Sequence, residues 1–121
     1  LRGMGRDHNS ILAVSPDRGL AQFRHEALVG AGFHVYSVYS ESSARFEISF
    51  GRCGVLLLCH TLKKDSRDDL AAYFHKWCPN PCVVSILAHH SDTYPSQTSI
   101  CVVHSEDPGA LVQALRNQMA A

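Results

Sequence analysis

The sequence predicts a single α/β domain built on a parallel sheet with helices on both faces. Two observations carry this. Val55-Leu56-Leu57-Leu58 is an unbroken aliphatic run, opened by Gly54 and closed by Cys59-His60-Thr61. A run of this kind is a strand buried on both faces, as found at the centre of a parallel sheet. Short apolar runs also alternate with segments of helical spacing, in the order βαβαβαβ–loop–βα. Right-handed crossovers close such an order into one covered sheet.

Residues 11–14, Ile-Leu-Ala-Val, form the first expected strand. Ser15-Pro16-Asp17 follows as a helix start, with proline near the first turn. Leu20, Phe23, Ala27 and Leu28 then recur at helical spacing until Gly30-Ala31-Gly32 stops the helix. Residues 33–38 alternate apolar and polar, as a half-buried edge strand does. Residues 42–50 are a weaker helical segment that ends before Gly51. After the central strand, Lys63-Lys64-Asp65-Ser66-Arg67-Asp68-Asp69 is a solvated loop and helix start, with Asp65 or Ser66 expected as the cap. Leu70, Tyr73, Phe74 and Trp77 give that helix an apolar stripe expected to pack in the core, and Pro79-Asn80-Pro81 ends it.

Residues 82–88 and 100–103 are two further buried strands. Residues 108–119 close the chain as a helix with Leu111, Val112 and Leu115 inward. The intervening 89–99 stretch has a proline, many turn formers and no apolar stripe, so the fourth crossover helix is expected to be shortened or absent.

Composition narrows the function classes. Eleven basic residues balance eleven acidic ones, so no net field draws nucleic acid or an anionic membrane. No stretch approaches membrane-spanning length, and no signal-peptide pattern is present. Five cysteines, an odd number, lie mostly in apolar runs or at element ends; Cys78 and Cys82 flank the Pro-Asn-Pro turn. This suits reduced thiols in a cytoplasmic protein. Residues 1–10 are expected to be a disordered or cloning-derived N-terminus, and residues 11–121 the domain.

Ligand chemistry in open parallel sheets sits past the carboxyl ends of the strands, so Cys59 and His60 stand where such a protein works. The segments that converge there are Ile11-Leu12-Ala13-Val14 before Ser15-Pro16-Asp17, the run GVLLLCHTL, the run CPNPCVVSILA and the run CVVHSEDPGALVQAL. Together, over residues 10–119, they resemble the receiver domain of the two-component response regulators of bacteria. The resemblance implies a flavodoxin-like, doubly wound five-stranded sheet in the order 2-1-3-4-5. It places Ser15, Pro16 and Asp17 where receivers carry their acidic metal-binding residues, and Cys59 at the phospho-accepting aspartate. It places Ser85 near the hydroxyl that senses the phosphoryl group, His104 on the lysine, and Ser105 on the proline after it.

The departures from that pattern decide the expected function. Mg²⁺ needs hard oxygen ligands, and of the acidic positions only Asp17 keeps a carboxylate. Cys59 offers no carboxylate for an acyl phosphate, and His104 is shorter than lysine and mostly neutral at pH 7. The sequence therefore predicts a degenerate, phosphorylation-incompetent receiver-like domain: not an enzyme, with no cofactor, acting as a signalling protein-interaction module. Its expected contacts are a protein partner through the 89–99 loop with Tyr94-Pro95, and a homodimer through the last strand and helix. The competing expectation uses the residues that replaced the acids. Cys59, His60 and His104, with His89-His90 nearby, would form a metal site or an imidazole-activated thiol for redox sensing.

Overall fold

A computed structural model describes residues 7–78, 81–86, 100–103 and 108–120. The elements are β1 (Asp7–Val14), α1 (Arg18–Gly30), β2 (His34–Val38), α2 (Glu41–Phe50), β3 (Cys53–Leu58), α3 (Lys64–Trp77), β4 (Cys82–Ile86), β5 (Ile100–Val103) and α4 (Pro108–Ala120). The strands lie in the order β2-β1-β3-β4-β5, and every pairing is parallel. The expectation for a shortened fourth helix falls at 89–99, outside the described residues.

All six residues of β3 are buried, because alternate side chains of a central strand enter two different cores. Leu56 and Leu58 join Leu12, Val14 and Val83 under α2 and α3, which contribute Ala44, Ile48, Leu70, Ala71 and Phe74. Val55 and Leu57 join Ile11, Val84 and Ile86 under α1 and α4, which contribute Leu28, Leu111 and Leu115. Edge strand β2 is only part-buried, as its alternating sequence requires.

The structure corrects four local expectations. First, β1 starts at Asp7, so residues 7–10 belong to the strand and not to a disordered N-terminus. Ser10 pairs with His34 and Asp7 with Cys53; backbone pairing extends the strand beyond its apolar run. Second, the inward stripe of α1 is Ala21, Arg24 and Leu28, one residue out of phase with the expected one, and Phe23 is 54% exposed. Third, Trp77 is 47% exposed: it ends α3 beyond the buried Leu70, Ala71 and Phe74 and tilts against Tyr73. Fourth, the N-cap of α3 is Lys63, with no side-chain cap bond; Asp65 instead lies within the first turn, where its charge suits the helix dipole.

Helix α2 shows capping at both ends. Ser40 Oγ accepts from Ser43 N–H at 3.2 Å, and Gly51 leaves the helix in the left-handed region at φ 88°. A side chain there is strained, so Gly51→Ala is expected to lose about 1–2 kcal/mol of stability, read as a lower urea midpoint at unchanged m-value.

Candidate functional site

The site is built where β1 and β3 end side by side, with Val14 paired to Leu58. Because β2 and β3 flank β1, chain direction diverges here, and ligands of open α/β sheets bind at such a switch point. Cys59 N–H donates to Val14 O at 3.1 Å, holding the residue after β3 against β1. Ser15 N–H donates to Val38 O at 3.1 Å and fixes the other flank.

Ser15 is buried. Its hydroxyl donates to Asp17 O at 3.0 Å and accepts from Asp17 N–H at 3.2 Å, a local turn of the kind serine favours before a helix. Pro16 is exposed and brings no polar side chain. Asp17 is the N-cap of α1, its Oδ1 accepting from Leu20 N–H at 3.1 Å. The surviving carboxylate is thus engaged as a helix cap.

Cys59 is 2% exposed, and its surroundings are polar. Arg24 Nη1 donates to Cys59 Sγ at 2.8 Å, from a side chain only 5% exposed. Thr61 Oγ1 lies 3.2 Å from the sulfur and His60 Nδ1 3.9 Å from it. Ala13, Val14, Ser15, Ala21, Arg24, Leu57 and Cys59 line a small cleft here with room for about one water molecule. Burial pushes the Cys59 thiol up. Hydrogen bonds from the Ser15 hydroxyl, the Thr61 hydroxyl and backbone, and Arg24 outweigh it, so the thiol titrates below its ordinary value. Ser15 has one hydroxyl proton, which serves either Asp17 O or the sulfur.

Of the expected site residues, the structure brings Ser15 and Cys59 together and sets His60 beside them. Ser85 is not among them. It pairs with Leu58 in register, and paired residues of parallel strands share a face. Leu58 packs under α2 and α3, whereas Cys59 meets Arg24 of α1 on the other side. The Ser85 hydroxyl is buried without a hydrogen-bond partner among the described residues. His104, with Ser105, His89, His90 and Tyr94, lies outside the described residues. Among the described residues no three His, Cys, Asp or Glu side chains gather as a metal site would require.

Arg24 is the residue that the sequence reading missed. Its signal was its spacing: it stands three residues after Ala21 and four before Leu28, so a charged group occupied the inward phase of α1.

No family model matches the chain, and no curated protein matches it. Solved structures do. A response regulator receiver protein from Sinorhizobium medicae superposes with a TM-score of 0.78 at 19% identity, covering 93% of this chain and 94% of that one. A two-component transcriptional regulator AraC from Clostridium phytofermentans gives 0.77 at 16%, covering 92% and 91%. The N-terminal domain of a response regulator/sensory box/GGDEF three-domain protein from Carboxydothermus hydrogenoformans gives 0.70 at 21%, covering 92% and 97%. The fold is that of a receiver domain.

Proposed function

We propose that this chain is a receiver-like domain that works without aspartyl phosphorylation, as a protein-interaction module in signalling. The observation that carries this is the buried Arg24 guanidinium on Cys59 Sγ. Phosphoryl transfer to a receiver needs a carboxylate acceptor and a divalent cation held by hard oxygens. The described side chains at this edge do not fit that cation. Position 59 is a thiol, Pro16 has no ligand atom, and Ser15 is engaged with the Asp17 backbone. Asp17 is engaged with the start of α1. A fixed positive charge stands in the same small cleft and repels a second cation.

Amide NMR titration with Mg²⁺ and beryllofluoride, a mimic of a bound phosphoryl group, tests this reading. No saturable shifts are expected at Ser15, Cys59 or Thr61. Stoichiometric shifts centred on those residues would overturn it.

With no reaction of its own, the domain acts through its surface, since a retained fold that lacks its site leaves binding as the default. Phe46 and Phe50 stand on the outer face of α2, 65% and 63% exposed, with rings stacked 6.1 Å apart. Exposed aromatic pairs of this kind are enriched at protein interfaces. A homodimer through β5 and α4 is a further contact in this proposal, to be read from sedimentation velocity. The balanced charge speaks for protein over nucleic acid or anionic membrane, and no described helix is long and apolar enough to cross a membrane. Among the described residues Cys53, Cys59, Cys78 and Cys82 form no disulfide, which fits the proposed cytoplasmic location.

A further inference from the structure

We propose that the outer face of α2 is a self-association surface, covered by a second copy of this chain turned about a two-fold axis parallel to α2. The proposal rests on the reading above that the domain acts through its surface, and it names the partner. Phe46 and Phe50 are the two most exposed large apolar side chains among the described residues. Their rings stand one helical turn apart and only 22° from parallel. The outward positions beside them, 42, 43 and 49, are exposed serines, so no longer side chain of α2 shields the rings.

Polar groups next to the rings are already bonded within the chain, so covering the rings leaves them satisfied. Ser49 Oγ donates to Phe46 O at 2.9 Å, and Ser40 Oγ donates to Ser43 Oγ at 3.1 Å. Arg45 Nη2 pairs with Glu41 Oε2 at 3.0 Å, and Arg52 Nη2 with Glu47 Oε2 at 3.0 Å. Each acid–base pair is neutral as a unit, so a highly charged occupant meets no net field here.

The placement of the two pairs selects a second copy. Arg45 lies on the α3 side of the rings, its guanidinium 4.8 Å from the Tyr73 ring. Glu47 and Arg52 lie on the β2 side, the Arg52 guanidinium 4.1 Å from the Tyr36 ring and 5.1 Å from the Phe50 ring. A two-fold rotation about an axis along α2 lays ring on ring and keeps the two helices parallel. It also sets the α3 side of one copy against the β2 side of the other. Arg45 then comes level with Glu47 of the second copy to within about 3 Å of helix rise. The same opposite-charge contact repeats across the axis, as an isologous interface requires. Stacking on Tyr73, Tyr36 and Phe50 holds both arginines in place before association, which lowers the cost of ordering them.

Two helix faces make a small, transient interface, with an expected dissociation constant of roughly 100 μM, so the chain stays monomeric in dilute unfolding experiments. Sedimentation velocity of the full chain, over a decade in concentration on either side of that value, is expected to show a rising weight-average coefficient. The double variant Phe46→Ser/Phe50→Ser is expected to abolish the rise. Arg45→Glu and Glu47→Arg each set like charges against one another across the axis, and each is expected to weaken association about tenfold. An equimolar mixture of those two variants restores both opposite-charge contacts and is expected to associate as the wild type does. None of the four changed side chains belongs to either core, so the folded chain is what each experiment reads. A chain that stays monomeric throughout leaves this face to a different protein and would overturn the proposal. Self-association that survives Phe46→Ser/Phe50→Ser belongs to another face, β5 and α4 among them, and would overturn it equally. A mixture that associates no more tightly than its components would refute the two-fold arrangement along α2. The beryllofluoride titration reads the edge of the sheet that holds Cys59, so failure there and failure here are separate results.

Discussion

Phe74→Ala is expected to be the most destabilising single truncation in the described core, at about 3–5 kcal/mol. Phe74 is fully buried on α3 and belongs to the cluster that joins α2 and α3 to β1, β3 and β4 through Ile48, Leu70, Leu56, Leu58 and Val83. Truncation removes the ring from water-free packing and leaves a cavity between two layers that cannot close without moving a helix. A domain of this size has roughly 5–15 kcal/mol of total stability, so the loss is a large fraction of it and leaves the fold marginal. Phe46→Ser is the control from the same residue type. Phe46 points away from both cores, so its change is expected to stay within about 0.5 kcal/mol. Urea denaturation of both variants checks the pair, and equal losses would mean that the assignment of inner and outer helix faces is wrong.

The contrast between those two phenylalanines also marks what could be read from the sequence. The central strand was legible because residues 55–58 are apolar at every position, a pattern that only a strand covered on both faces requires. Edge strand β2 was legible for the complementary reason, since alternation signals one wet face. The phase of α1 was not. A large phenylalanine at position 23 outweighs an alanine at 21 in any hydrophobic count, yet the helix turns Ala21, Arg24 and Leu28 inward. Aromatic bulk misleads again at Trp77, which extends the stripe of α3 in sequence but is about half exposed at the end of that helix.

For the site, the position of Cys59 followed from the strand that it ends. Its chemistry did not, because Arg24, whose guanidinium lies 2.8 Å from the sulfur, is 35 residues away and on a helix whose phase was misjudged. Ser85 shows the limit from the other side. Which face it takes depends on the register of β4 against β3, and a shift of one residue reverses the face. The pairing of Ser85 with Leu58 settles this, but nothing in the composition of either strand does.

The Arg24–Cys59 pair should itself control stability in an asymmetric way. Cys59→Ala removes an acceptor from a guanidinium that stays buried, and a hydrogen bond to a charged group lost in the interior costs about 2–3 kcal/mol. Arg24→Leu removes the charge and fills the space with an apolar side chain, so it is expected to fall within about 1 kcal/mol of the wild type or to exceed it. The cost of losing Cys59 should also depend on pH. Cys59 titrates lower in the folded protein than its ordinary value, so the folded state binds fewer protons between the two values and stability rises with pH there. The thiolate contribution is therefore complete above the unfolded thiol pKa of about 8.5, and it is lost as pH falls through the folded value. Urea denaturation of wild type and Cys59→Ala should show a gap that is widest at about pH 9, above the unfolded thiol pKa, and narrows as the pH falls. In an Arg24→Leu background the same gap should depend less on pH, because only the Ser15 and Thr61 donors remain. A gap that widens as the pH falls would mean that the sulfur is held as a neutral thiol, and that Arg24 is buried for packing alone.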